Sequence, residues 1–376
     1  MKQTEFFGTG TLRHLNQILN TESPERVLLV TGKGSFGLSG AEQPIMEAVF
    51  PFNYLRFSDF ATDPKFEDVL KGLKIVRDYQ PDLVIAVGGG SVIDMAKLLN
   101  ILSVHDADSV AYIRGEKKIS KKGKALVAIP TTSGSGSEAT QFIVVYVDKK
   151  KYSVAHEYII PDYAIVDPEL TLTTPEYIAA AAGMDAFAQA VESFWSINST
   201  NESQQYSEEA IKLCLENFVA AVTRKTGGAR FSMARAANLA GKAINIAKTT
   251  AAHALSYSLT SYHGITHGHA VGLALAPIFE YNAGVNNNDC NDQRGVLFVK
   301  DTMNRLCSLM KCLDATAAKL HITAMMKQTG LETSFEELGL HKEDIINFTN
   351  RVNLQRLKNN PRDLSDKAVL MGLFLA

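Results

Sequence analysis

Five short β-branched runs dominate the first half of this sequence: RVLLV (26–30), LVIAV (83–87), ALVAI (125–129), FIVVYV (142–147) and YAIV (163–166). Amphipathic stretches separate them, which is the alternation of βαβ units and predicts a mostly parallel sheet. After Thr174 the strand signal stops. The segments 204–223, 230–247, 266–282, 300–311 and 313–329 carry apolar residues at helical spacing. EYIAAAAGMDAFAQAVESFW opens this half as a long helix, with Thr174 predicted at the N-cap and Pro175 at the first helical position. The expected class is α/β plus all-α, with a sheet domain over 1–172 and a helical domain over 173–376. A chain of 376 residues is also longer than one hydrophobic core usually serves. No low-complexity linker separates the halves, and the one long polar loop, NAGVNNNDCNDQRG (282–295), lies inside the second. The boundary reads as a tight junction, a favoured place for a ligand cleft.

Bulk properties remove several functions. A net charge of -2 provides no field that would gather nucleic acid or anionic lipid, and Lys149, Lys150 and Lys151 read as a solvated turn. The start, MKQTEFFGTG, has no apolar signal core, and no apolar run reaches bilayer length. A cytoplasmic protein with no membrane partner is expected. Cys214, Cys290, Cys307 and Cys312 include no C-x-x-C pair and read as reduced.

Three glycine-rich turns follow strands. AVGGGSVIDMAK (86–97) runs from a buried strand through Gly88, Gly89 and Gly90 into a helix, so the backbone can approach a phosphate and the helix start can bind it. PTTSGSGSEAT (130–140) offers hydroxyls and small residues to the same dinucleotide. In LLVTGKGSFG (28–37), Gly32, Lys33 and Ser35 occupy the place where sheets of this type often carry an acidic residue for the adenosine ribose. Without a carboxylate to repel a 2′-phosphate, the site is expected to accept NADP(H) as well as NAD(H).

The second half holds a metal-like constellation. Asp185 and Gln189 are four apart on one helix face. His253 and His267, fourteen apart in AAHALSYSLTSYHGITHGH, suit a helix, a turn and the start of another helix. Together they form a candidate four-ligand set for zinc or iron. His263 and His269 are candidates for relaying protons or contacting ligands.

In this order, FFGTGTL, GGGSVIDMAK, PTTSGSGSEAT, IIPDYAIVDPELTLTTP, GMDAFAQAVESFWS, the histidine stretch and NNPRDLS resemble the iron-containing (group III) alcohol dehydrogenases along nearly the whole chain. The resemblance implies a dinucleotide-binding α/β domain, a helical domain and a divalent metal, Fe2+ or Zn2+, with the architecture shared by dehydroquinate synthases. It places metal ligands at Asp185, His253 and His267. It places cofactor contacts at Gly88, Gly89, Gly90, Ser91, Asp94, Thr131, Thr132 and Lys151, with which Asp63 and Ser137 are grouped.

Three places in the chain depart from the family pattern. Gln189 stands where most members have a ligand histidine, and its amide oxygen is a weaker donor. Tyr257 replaces a non-ligand histidine, so Tyr257 or His263 is expected to pass the proton. Lys248, Thr249 and Thr250 stand where small or apolar residues are usual. A lysine there would hold an anionic substrate tail. IAKTTAAH and ESFWSINST resemble members that reduce phosphonoacetaldehyde. The expected activity is therefore metal-dependent, NAD(P)H-linked reduction of a small anionic aldehyde, with a homodimer suggested by family resemblance alone. Competing readings are a general short-chain alcohol dehydrogenase, a metal-free reductase of the maleylacetate type, a dehydroquinate synthase-like lyase and a non-catalytic nucleotide sensor.

Overall fold

The computed structural model describes residues 3–352 and 354–375. The chain divides into two compact units between Thr174 and Pro175. In the first, the strands are β1 (Thr4–Phe7), β2 (Arg26–Thr31), β3 (Asn53–Phe57), β4 (Leu83–Gly88), β5 (Ala125–Pro130), β6 (Phe142–Val147), β7 (Lys150–Ala155) and β8 (Tyr163–Val166). Six of them form one sheet in the order β1-β8-β5-β4-β2-β3, with every pair parallel. Helices α1 (His14–Glu22), α2 (Ser35–Leu38), α3 (Glu42–Val49), α4 (Phe66–Tyr79), α5 (Gly90–Ser103) and α6 (Ser109–Arg114) complete the unit.

The central strands read as unbroken apolar runs because both of their faces are covered. Val27, Leu29, Leu83, Ile85 and Val127 pack with Leu15, Ile18, Phe36 and Ile45 on one side. Leu28, Val30, Val84, Ala86 and Leu126 pack with Val69, Leu73, Met95 and Leu99 on the other. After β2 the chain crosses to β3 at one edge, whereas after β4 it moves to β5 on the opposite side. The direction therefore reverses between adjacent β2 and β4, and ligands of open α/β sheets bind outside the carboxyl ends of such strands. Gly32 and Gly88 stand at those two ends.

Three expectations change. FIVVYV is a strand but not a member of the parallel sheet: β6 and β7 form a separate antiparallel hairpin. Asp148 and Lys149 turn the chain with φ of 50° and 61°, the positive values that two-residue hairpin turns need. A parallel crossover needs a dozen or more residues, and none are available there. Lys149 is thus in a turn, while Lys150 and Lys151 begin β7. Thr174 does not cap the long helix; its hydroxyl donates to the Thr131 carbonyl at 3.3 Å, and Pro175 takes the N-cap position. The edge strands TEFF and NYLRF escape the sequence reading because each is largely half-exposed and lacks an apolar run.

The second unit is helical among the described residues: α7 (Glu176–Trp195), α8 (Asn201–Thr223), α9 (Gly227–Ala247), α10 (Ala251–His263), α11 (His267–Ala283), α12 (Val296–Leu309), α13 (Ala315–Gln328), α14 (Lys342–Asn350), α15 (Leu354–Leu357) and α16 (Lys367–Leu375). α7 is buried on all sides from Met184 to Trp195, so its few polar side chains are surrounded by protein. That burial matches its alanine-rich, nearly uncharged sequence.

In the first unit, α5 is tied to the 137–142 segment by Lys97, which is 1% exposed. Its Nζ donates to the carbonyls of Ser137 (2.6 Å), Thr140 (2.9 Å) and Phe142 (3.0 Å). Burial pulls the ammonium pKa down to about 8, against the attraction of Asp94 and Glu138. Because the folded value lies below the unfolded one, the unfolded chain holds more protons between about 8 and 10.5. Lys97 alone therefore makes stability rise with pH across that window. Lys97→Met is expected to cost roughly 3–5 kcal/mol in urea unfolding, since it strands buried acceptors. It should also remove this alkaline rise, which unfolding series at pH 8 and pH 10 would measure.

Candidate metal and cofactor sites

The metal candidates come from three helices of the second unit. Asp185 and Gln189 are one turn apart on α7, His253 lies in the first turn of α10, and His267 begins α11. Gly264, at φ 71°, ends α10 in the left-handed conformation and lets the chain turn back through TSYHGI. Gly268 then allows α11 to lie directly on α7: a Cβ there would stand 1.9 Å from the Ala181 carbonyl oxygen and 2.9 Å from the Asp185 Cβ. Asp185, His253 and His267 consequently offer ligand atoms that all lie within 4.8 Å of one another.

The hydrogen bonds orient both imidazoles alike. His253 Nδ1 contacts the Glu192 carboxylate, and its Nε2 lies 3.2 Å from Asp185 Oδ1. Ser256 donates its hydroxyl proton to the His253 carbonyl at 2.8 Å, so its oxygen can accept the His267 Nδ1 proton across 3.3 Å. In the neutral form each ring then keeps its Nε2 lone pair for a ligand. Burial lowers the His253 pKa, but the Glu192 charge and the hydrogen bonds to Asp185 and Glu192 outweigh it and push the value up to about 9. Gln189 Oε1 is buried and has no hydrogen-bond partner. An orphaned amide oxygen on the same helix face as Asp185 is the fourth donor a cation would satisfy. The donor set of one carboxylate, one amide and two imidazoles fits a divalent metal.

Tyr257, one turn after His253, stacks on the His267 ring with centroids 5.7 Å apart. The Arg356 guanidinium lies over the Tyr257 ring, 4.9 Å from its centroid. Burial raises the phenol pKa, with Arg356 pulling the other way. Lys248 is exposed and holds φ 62° and ψ 168° at the end of α9, a region where side chains other than hydrogen are strained. Residues 248–250 lie between α9 and α10 rather than on the helix of His253. His263 closes α10, ten residues and about 15 Å of helical rise beyond His253. Its buried Nε2 has no partner. His269 is a core residue: Nε2 donates to the Glu332 carbonyl at 2.8 Å, which leaves Nδ1 to accept from the Tyr177 hydroxyl at 3.3 Å.

In the first unit the glycine turns meet at the strand ends described above. Gly89 caps α5, a Cβ on Gly90 would lie 2.5 Å from Ser135 Oγ, and the Thr131 amide donates to the Gly88 carbonyl at 3.0 Å. Thr132 Oγ1 would be 3.2 Å from a Cβ on Gly89. The two loops are therefore packed together. Asp63 donates its amide to Ser91 Oγ at 3.2 Å, and burial raises its carboxyl pKa against the pull of Lys151 and Lys65. Asp94 and Ser137 are engaged with each other: Ser137 Oγ donates to Asp94 Oδ1 at 2.6 Å, and the Val144 amide donates to Oδ2 at 2.8 Å. Gly32 would place a Cβ 2.1 Å from Ser35 Oγ. The absence of a carboxylate beside Lys33 does not hold, because Asp59 Oδ1 is 2.7 Å from its Nζ. Asp59 follows β3, a strand the sequence reading missed.

The model for iron-containing alcohol dehydrogenases matches residues 3–168, and the model for the C-terminal part of the Fe-containing alcohol dehydrogenase family matches residues 179–373. The chain belongs to the iron-containing alcohol dehydrogenase family. As a member it is an oxidoreductase that uses NAD(P) and a divalent metal. It is 38% identical to long-chain-alcohol dehydrogenase 1 of Geobacillus thermodenitrificans over 228 residues, 60% of this chain and 58% of that protein. It is 31% identical to the phosphonoacetaldehyde reductase of Streptomyces viridochromogenes over 92% of this chain and 88% of that one. The solved sulfoacetaldehyde reductase of Bifidobacterium kashiwanohense in complex with NAD+ superposes with a TM-score of 0.88 at 29% identity, covering 99% of this chain and 96% of the other.

Two residues in contact with the candidate site escaped the sequence reading. Glu192 follows Asp185 by seven on the same helix, a spacing that was legible, yet only the fold shows which ring it meets. Arg356 lies about a hundred residues from Tyr257 and had no local signal. No helix is long and apolar enough to cross a membrane among the described residues. Gly268→Ala is expected to force α11 away from α7, costing about 1–3 kcal/mol or more and separating His267 from Asp185. A lowered melting temperature together with less than one metal per chain by elemental analysis would bear this out, and full metal content would refute it.

Proposed function

We propose that this dehydrogenase reduces a small aldehyde carrying a tetrahedral anionic group, with phosphonoacetaldehyde as the first candidate and sulfoacetaldehyde as the second. The observation that carries the reading is Arg356, a guanidinium over Tyr257 and one ring removed from His267. Among the described residues no carboxylate forms an ion pair with it, so its charge remains available to an anion. Exposed Lys248 would add a second cation beside Thr249, for which Tyr257 hydrogen bonding already indicates proximity. Similarity to a phosphonoacetaldehyde reductase and to a sulfoacetaldehyde reductase, both over nearly the whole chain, supports the same substrate class.

In this reading Asp185, Gln189, His253 and His267 hold the metal, which when bound polarises the substrate carbonyl and favours the alkoxide. Gly32, Lys33, Ser35, Asp63, Gly88, Gly89, Gly90, Ser91, Thr131, Thr132 and Lys151 serve the dinucleotide, whose nicotinamide supplies the hydride. Asp94 and Ser137 hold the loop. Arg356 and Lys248 orient the aldehyde by its charged end. Tyr257 Oη donates the proton to the alcohol oxygen; its raised pKa keeps it protonated at neutral pH. Residues 1–172 act as the nucleotide domain and 173–376 as the metal and substrate domain.

A panel of phosphonoacetaldehyde, sulfoacetaldehyde and propionaldehyde, run with NADH and NADPH after Fe2+ or Zn2+ loading, tests the reading. The anionic aldehydes are expected to exceed propionaldehyde in kcat/KM. Arg356→Met should lower kcat/KM for the anions by about 100-fold, or ~2.7 kcal/mol, and Lys248→Met should raise their KM, with little change for propionaldehyde. Equal losses on charged and neutral substrates would sink the anion site, and preference for a long-chain aldehyde would favour the neutral-substrate alternative.

A further inference from the structure

Glu192 takes no part in the ligand set or in substrate binding, yet it is fully buried. Its Oε1 accepts from the Thr250 amide at 3.2 Å, the Thr250 hydroxyl at 2.7 Å, the Ala252 amide at 2.8 Å and the His253 amide at 3.4 Å. Trp195 holds Thr250 in place from the next turn of α7, donating Nε1–H to the same hydroxyl at 2.8 Å. The opposite oxygen, Oε2, meets His253 Nδ1. Asp185 and Glu192 are seven residues apart, two turns of one helix, so both side chains leave the same face. The imidazole of His253 is thus clamped between two carboxylates of α7, one at each ring nitrogen.

We infer that Glu192 is a positioning residue that fixes His253 as the Nδ1–H tautomer and so reserves the Nε2 lone pair for the metal. The inference rests on Asp185, Gln189, His253 and His267 being the metal-holding set. A carboxylate can only accept at Oε2, so the proton on this side of the neutral ring must reside on Nδ1. With the proton on Nδ1 the neutral ring has its lone pair on Nε2, which faces Asp185 Oδ1 across 3.2 Å, so that both can be offered to one cation. The four donors at Oε1 keep the carboxylate from rotating away. They also supply a second, purely structural role: they close the start of α10, whose Thr250 side chain caps nothing itself.

Glu192→Gln separates the two roles. The amide has a single acceptor oxygen, and the four donors at the α10 start draw it to the Oε1 position. The NH2 group then faces His253 Nδ1 and can only donate. His253 must accept there and carry its proton on Nε2, where it points at Asp185 and blocks coordination. The helix start keeps its cap while the metal site loses a ligand. Chelator-treated full-length protein is titrated with Zn2+ and with Co2+ by calorimetry, and its melting is followed by circular dichroism. The expected result is a metal Kd raised 10–100-fold with the metal-free melting temperature close to that of the parent. Glu192→Gln that binds either metal as tightly as the parent overturns the inference.

A measurement on the unmodified enzyme covers the case in which the variant does not fold. Long-range 1H–15N spectra of the Zn2+-loaded protein should show His253 protonated at Nδ1 and not at Nε2; the reverse tautomer overturns the inference. His267→Ala distinguishes the two levels of failure. If the parent binds no metal, or binds it unaffected by His267→Ala, the ligand set itself is wrong and the inference falls with it. If His267→Ala abolishes binding while Glu192→Gln leaves it intact, the ligand set stands and the Glu192 role alone is overturned.

Discussion

The contact of α11 on α7 at Gly268 governs the chemistry of the helical unit. A side chain at that position would occupy the space of the Ala181 carbonyl oxygen, and backbone cannot move aside as a flexible side chain can. With hydrogen there, the first turn of α11 sits against the turn of α7 that carries Asp185, and His267 arrives beside His253 without a dedicated loop. The burial of α7 follows from the same close packing. Its alanines and Gly183 admit neighbours on every side, so Asp185, Gln189 and Glu192 face protein rather than water. Polar groups in such a place must find partners or ligands. Asp185 and Glu192 have His253 between them, and Gln189 Oε1 is the one left over.

A comparable economy orders the sheet unit. The reversal of strand order between β2 and β4 opens the ends of those strands, and the glycine turns that follow them stand there by topology. Lys97 and Asp94, both inside α5, bind the second loop and the hairpin. Their buried charges hold the loop against α5 where apolar packing could not satisfy its carbonyls. The loop that touches Gly89 and Gly90 is thereby anchored at its far end.

Much of this was legible in the chain. The five β-branched runs all became strands, because buried central strands leave an unmistakable apolar signature. The helical segments of the second half appeared within a few residues of their expected limits. Asp185, His253 and His267 came together as expected from the motif order. The edge strands failed because a strand with one open side needs no continuous apolar run. β6 failed differently: its residues said strand, but the choice between sheet and hairpin lay in the two-residue turn after it. His269 looked like its three neighbouring histidines, and only the Glu332 carbonyl and the Tyr177 hydroxyl made it a core residue.

By itself the sequence determined the family, the order of sheet and helical units, and the residue types able to hold a nicotinamide dinucleotide and a metal, since these depend on local spacing and on motifs read along the chain. Only the tertiary structure decided which distant groups share a site. Arg356 reaches Tyr257, Asp59 reaches Lys33, and Glu192 reaches the far nitrogen of His253 through helix packing and strand order. The physical reason is range: periodicity and capping act over a turn or two, whereas the charge that orients a ring is set by whichever element the fold packs against it.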